Sequence, residues 1–172
     1  MRLGLVLTAA VLAISAASAD PLAEGLAGKL QCYRPDPVKK TCGALSAYSQ
    51  RRDGAILNSA DVMLSPNPVV VMHTLSTVEI KGDAVCGPLR KADIDTATIL
   101  VNGKELPEEQ AVGARAQIAT AFQAMLGKEV CTTYVPDGDK LSAKVSVDGT
   151  PNPAFTQTVI WVSPADGYKV GP

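Results

Sequence analysis

Gly28-Lys29-Leu30-Gln31-Cys32-Tyr33-Arg34-Pro35-Asp36 has a later counterpart, Gly127-Lys128-Glu129-Val130-Cys131-Thr132-Thr133-Tyr134-Val135-Pro136-Asp137. Each copy follows an apolar segment with helical spacing and leads into strand-like sequence, so the pair reads as a duplicated α-then-β unit. Ahead of the first copy, Leu22, Leu26 and Leu30 recur at four-residue spacing behind Asp20-Pro21, residue types that cap and open a helix. Ahead of the second, Pro107-Glu108-Glu109 opens a clearer helix over 107–126. Ala111, Ala114, Ile118, Phe122 and Met125 fall on one side of it, and Gly127 supplies a left-handed stop.

Turn residues extend the match. Asp53-Gly54 corresponds to Asp137-Gly138, Pro66-Asn67-Pro68 to Pro151-Asn152-Pro153, and Gly87-Pro88 to Gly171-Pro172. Between these turns lie segments with the two-residue period of half-buried strands, at 43–50, 55–64, 128–135, 140–147 and 155–162. Residues 140–147 alternate strictly, with Leu141, Ala143, Val145 and Val147 on one face and Lys140, Ser142, Lys144 and Ser146 on the other. Ile56, Ala60, Val62 and Leu64 likewise share a face that only Asn58 interrupts. Val69–Ile80 is a long β-branched run, Ala84–Cys86 a short strand, residues 88–95 irregular, and Ala97–Val101 a further strand. The fold class these segments predict is α+β. Two α-β-β-β-like repeats, about 20–88 and 107–172, share one core, with antiparallel sheet, the 107–126 helix lying across it and a shorter N-terminal helix. Without duplication the same segments describe a single α+β domain over 20–172.

The N-terminus has a separate reading. Arg2, the apolar run Leu3–Ile14 and Ala17-Ser18-Ala19 have the three-part form of a secretory signal peptide spanning 1–19, with cleavage before Asp20. The apolar run is shorter than the roughly twenty residues a membrane span needs. The expectation is an exported protein, periplasmic or secreted, with no stable membrane insertion after cleavage. Cys32, Cys42, Cys86 and Cys131 all lie beyond the cleavage point, where disulfides persist. Four cysteines allow three pairings. Cys32–Cys42 with Cys86–Cys131 is favoured, because the first bridge closes a proline-rich loop and the second ties the two halves together.

Composition narrows the function classes. Sixteen Lys and Arg stand against seventeen Asp and Glu, a net charge of −1. These charges are scattered, so there is no dense basic face for nucleic acid. His73 is the only histidine, and no Gly-x-Ser-x-Gly elbow accompanies it. One histidine and four scattered cysteines do not form a usual metal set, and the Gly-Lys pairs lack phosphate-loop spacing. No catalytic residue, metal or cofactor is expected from these residues. Tyr33 and Arg34, of residue types that dominate interface energetics, are candidate binding residues on a disulfide-closed loop. Trp161, Val159 and Phe155 share one face of the last strand, read as core rather than as a ligand platform. The leading expectation is a non-catalytic binding or interaction module for a protein or cell-envelope partner. Two others stay open: a hydrolase whose acidic site is assembled only by the fold, and a carrier with an apolar cavity for a small ligand.

Overall fold

The computed structural model describes residues 20–172, so the expected signal peptide over 1–19 lies outside the described residues. In chain order the strands are β1 (Leu30–Tyr33), β2 (Thr41–Cys42), β3 (Ala44–Gln50), β4 (Ile56–Pro66), β5 (Val69–Lys81) and β6 (Ala84–Pro88). They continue as β7 (Thr98–Val101), β8 (Lys104–Glu105), β9 (Glu129–Asp137), β10 (Lys140–Val147), β11 (Thr150–Pro151), β12 (Gln157–Val162) and β13 (Lys169–Val170). The helices are α1 (Ala23–Leu26), α2 (Lys91–Asp95) and α3 (Glu108–Ala121), the last followed by a 3-10 turn at Gln123–Met125.

Eight strands pair in the order β4-β3-β1-β12-β10-β9-β6-β5, and β4 pairs with β5 to close the ring. Each pairing is antiparallel, and around the ring the strands follow chain order, which makes an up-and-down barrel. This corrects the α+β reading. About half the chain is strand, and the helices among the described residues are three short ones. The expected repeats are also unequal here: residues before Leu89 supply five barrel strands and residues after Lys128 supply three. Closure turns one face of the eight-strand sheet into the lumen, and α3 lies beside the ring on the β5–β7 flank, where Ala114 and Ile118 pack on a cluster of Met72, Ala97 and Ile99.

Register fixes which side chains point inward. Gln31 opposes Trp161 and Ser46, Tyr33 opposes Val159 and Ala44, and Tyr48 opposes Asn58. The sets read from sequence alternation, Ile56-Ala60-Val62 and Leu141-Ala143-Val145, share this inner face. Lys140 and Lys144 are consequently outside. Basic side chains on that face are costly in hydrocarbon, and the apolar residues are within, so the alternation on β10 is the reverse of a membrane barrel's. Among the described residues, no helix is long and apolar enough to cross a membrane.

α1 plugs one end of the barrel. The Leu22 N–H donates to Asp20 Oδ1 (2.8 Å), which turns the chain into the single helical turn. Leu22 is fully buried and, with Leu26, packs in a cluster with Tyr48, Ile56, Val85, Ile80 and Trp161. Gly25 permits this approach: a Cβ there would stand 2.9 Å from Tyr48 Cδ2 and 3.0 Å from Trp161 Cη2. Leu30, expected on the same helical face, belongs instead to β1 and packs outside the barrel with Cys32, Cys42 and Val162.

The opposite end is built differently. β5 pairs with β6 only over Glu79–Lys81, whereas its first residues, Val70–His73, pair with β7. Between β6 and β9 the chain makes a long excursion through α2, β7, β8 and α3. Gly127 (φ +78°) ends that excursion and turns the chain back into β9. The bridges are Cys32–Cys42 and Cys86–Cys131, the pairing favoured from the sequence. Cys86 and Cys131 are directly opposite across β6 and β9, so this bridge clamps the base of the excursion.

Candidate functional site

Inside the barrel, above the α1 plug, lies a cavity of about 410 Å³. That is within the range of roughly 300–1,000 Å³ typical of small-molecule sites, and eight-strand barrels of this kind have room for one small ligand. Small residues help leave the space open, with Ser46, Ser76 and Gly87 lining it from β3, β5 and β6.

Its deep end is polar. Tyr33, Tyr48 and Tyr134 come from β1, β3 and β9 and converge on the Gln31 amide. The Tyr48 hydroxyl donates to Gln31 Oε1 (2.7 Å). The hydroxyls of Tyr33 and Tyr134 lie 3.0 and 3.1 Å from the same oxygen and 2.7 Å from each other. Two hydroxyl protons serve those three contacts, so one phenol donates to the other or both donate to Gln31. Gln31 is fully buried, and its Nε2 has no hydrogen-bond partner. Burial, the largest cause, raises all three tyrosines above the ordinary value and so favours the neutral phenols. For Tyr33, both neighbouring tyrosines push in the same direction; for Tyr48, Tyr134 does so, while the hydrogen bond with Tyr33 works the other way.

Higher in the barrel, Ser46, Thr74, Ser76, Thr132 and Gln157 add hydroxyl and amide groups to the wall. At the mouth the lining turns apolar, with Leu89, Ile94, Phe122, Met125 and Phe155. The excursion between β6 and β9 supplies four of these, and the turn before β12 supplies Phe155. Among the described residues, the cavity lining has no lysine, arginine or histidine, and its one carboxylate is Asp93 on α2.

The two binding residues expected from sequence separate. Tyr33 lies within the segment that Cys32–Cys42 closes but is the last residue of β1 rather than part of an exposed loop, and its hydroxyl is inside the barrel. Arg34, the next residue, is exposed. Phe155 lines the cavity mouth, whereas Trp161 sits below it against the plug. Sequence reasoning missed Gln31, Tyr48 and Tyr134. The available signal was that Tyr33 and Tyr134 follow their cysteines in the two similar stretches, and that Gln31 shares Tyr33's side of a strand.

Other candidate chemistry falls elsewhere. His73 Nδ1 is 2.7 Å from Asp61 Oδ1 on the outer wall, with both side chains nearly half exposed. Asp95 and Glu108 line a groove between α2 and α3, but Lys91 and Arg115 pair with them. Glu129 approaches Cys86 and Cys131, whose sulfurs are joined in a disulfide and offer no thiolate to a metal. No protein-family model, characterised protein or solved structure matches the chain.

Proposed function

We propose that the protein is a non-catalytic carrier that holds a small molecule inside its barrel, in a compartment outside the cytoplasm. The observation that carries this reading is the lumen itself: a cavity of about 410 Å³ with an apolar mouth and convergent tyrosines at its floor. A few placed polar groups within an apolar wall are what a small-ligand site requires. A glycosidase-type hydrolase needs two carboxylates facing one space. Among the described residues, the lumen presents Asp93 alone. The two disulfides accord with an oxidising compartment.

The test is binding of the neutral dye N-phenyl-1-naphthylamine, read by its emission and by energy transfer from Trp161, the only tryptophan. Val145→Phe narrows the lumen from β10 and leaves Trp161 the only tryptophan. The dye is expected to bind the natural protein with micromolar affinity and to be excluded by the variant, whose melting temperature stays within a few degrees. Equal binding by both proteins places the dye elsewhere and removes the reading, as does absence of binding to the natural protein.

A further inference from the structure

We infer that the ligand is an uncharged amphiphile that enters polar end first, its hydrogen-bonding group reaching the Tyr33–Tyr48–Tyr134 floor and its apolar body remaining among Phe122, Met125 and Phe155. This rests on the carrier reading and adds the ligand's charge and orientation to it.

The lining decides the charge. A charged group taken into the lumen loses its water and needs an opposite charge or several hydrogen bonds in exchange. An organic anion finds no cation there, because among the described residues the lining contains no lysine, arginine or histidine. The carboxylate of Asp93, carried on α2 in the excursion, repels it further. A cation fares little better at the floor. The three phenols stay neutral there, and their protons are engaged with Gln31 and with one another.

The same atoms fix the orientation. Once those protons are committed, each hydroxyl oxygen still has acceptor capacity. Gln31, which takes those protons, is not among the residues lining the cavity, so the floor offers a ligand the hydroxyl oxygens of Tyr33, Tyr48 and Tyr134 as acceptors. A neutral group that donates a hydrogen bond, such as an alcohol or a primary amide, matches them. The mouth offers aromatic and thioether side chains and is the better place for a hydrocarbon body.

The experiment is displacement of bound N-phenyl-1-naphthylamine by decan-1-ol, decanoate and decylammonium at neutral pH and fixed ionic strength. Decanol is expected to displace the dye at a concentration at least ten-fold lower than either ion. If either ion displaces the dye as well as decanol does, the charge inference is overturned while the carrier reading survives. If the dye never binds, the carrier reading and this inference fall together. Orientation is tested with Tyr33→Phe and, as a milder change, Ser76→Ala. Tyr33→Phe is expected to weaken decanol about five-fold, with an unchanged melting temperature reporting that the barrel is intact. Ser76→Ala is expected to weaken decanol less. Unchanged decanol affinity in Tyr33→Phe overturns the polar-end placement.

Discussion

Leu22→Ala tests whether the first helical turn plugs the barrel. Leu22 is fully buried, and its neighbours Tyr48, Ile56 and Val85 sit on barrel strands while Trp161 rises from β12. Leu→Ala in a core costs about 2–5 kcal/mol, depending on how far the surroundings collapse into the space left behind. Each of these strands is hydrogen-bonded on both sides within the ring, so the wall cannot move inward as a loose helix would. The upper part of that range applies, about 3–4 kcal/mol. With a urea slope of about 2 kcal/mol/M, the unfolding midpoint falls by roughly 1.5–2 M. Trp161 emission and far-ultraviolet circular dichroism should report the same transition, because Trp161 lies in the cluster the substitution disturbs. A midpoint within about 0.3 M of the natural protein's would show that α1 does not plug the barrel.

Two further outcomes are expected. Removing the Cys86–Cys131 bridge, which spans 45 residues, should cost about 4 kcal/mol by chain entropy, against about 2.7 kcal/mol for the bridge between Cys32 and Cys42; urea unfolding of the two double Cys→Ala variants checks the order. Tyr33, Tyr48 and Tyr134 are raised by burial, so their contribution to stability is complete below the unfolded tyrosine value of about 10 and is lost as pH rises beyond it. Alkaline titration should show these three phenols ionising only together with loss of the fold, and phenolate absorbance appearing from all of them in the folded barrel would contradict the buried floor.

Much of the local structure was legible because it depends on near neighbours. Asp53-Gly54 and Asp137-Gly138 mark turns, and the positive φ at Gly54 and Gly138 shows the backbone that such residues permit. Alternation on β10 correctly separated the inward Leu141, Ala143 and Val145 from the outward lysines. The helical face of α3 was also legible: Ala111 is buried, and Ala114, Ile118, Phe122 and Met125 are half-buried. The destinations of that face were not. Ile118 meets the β5–β7 flank, while Phe122 and Met125 turn over the lumen. Tyr33 was misplaced for a related reason. The cysteine before it suggested a loop boundary, yet pairing with both β3 and β12 keeps residues 30–33 in the sheet.

By itself, the sequence determined most of the strands, most of their inward faces and the turns between them, since each follows from residue type and short-range spacing. Among three cysteine pairings it favoured one, which the fold then set by placing Cys86 opposite Cys131. Closure belonged to the tertiary structure. A two-residue alternation has the same form in an open sheet and in a barrel, and only the pairing of β1 with β12, from opposite ends of the described chain, distinguishes them. The candidate site depends on that closure. Gln31, Tyr48 and Tyr134 are ordinary inward residues of three separate strands until the ring brings their polar atoms within hydrogen-bonding distance around a space that small side chains leave open.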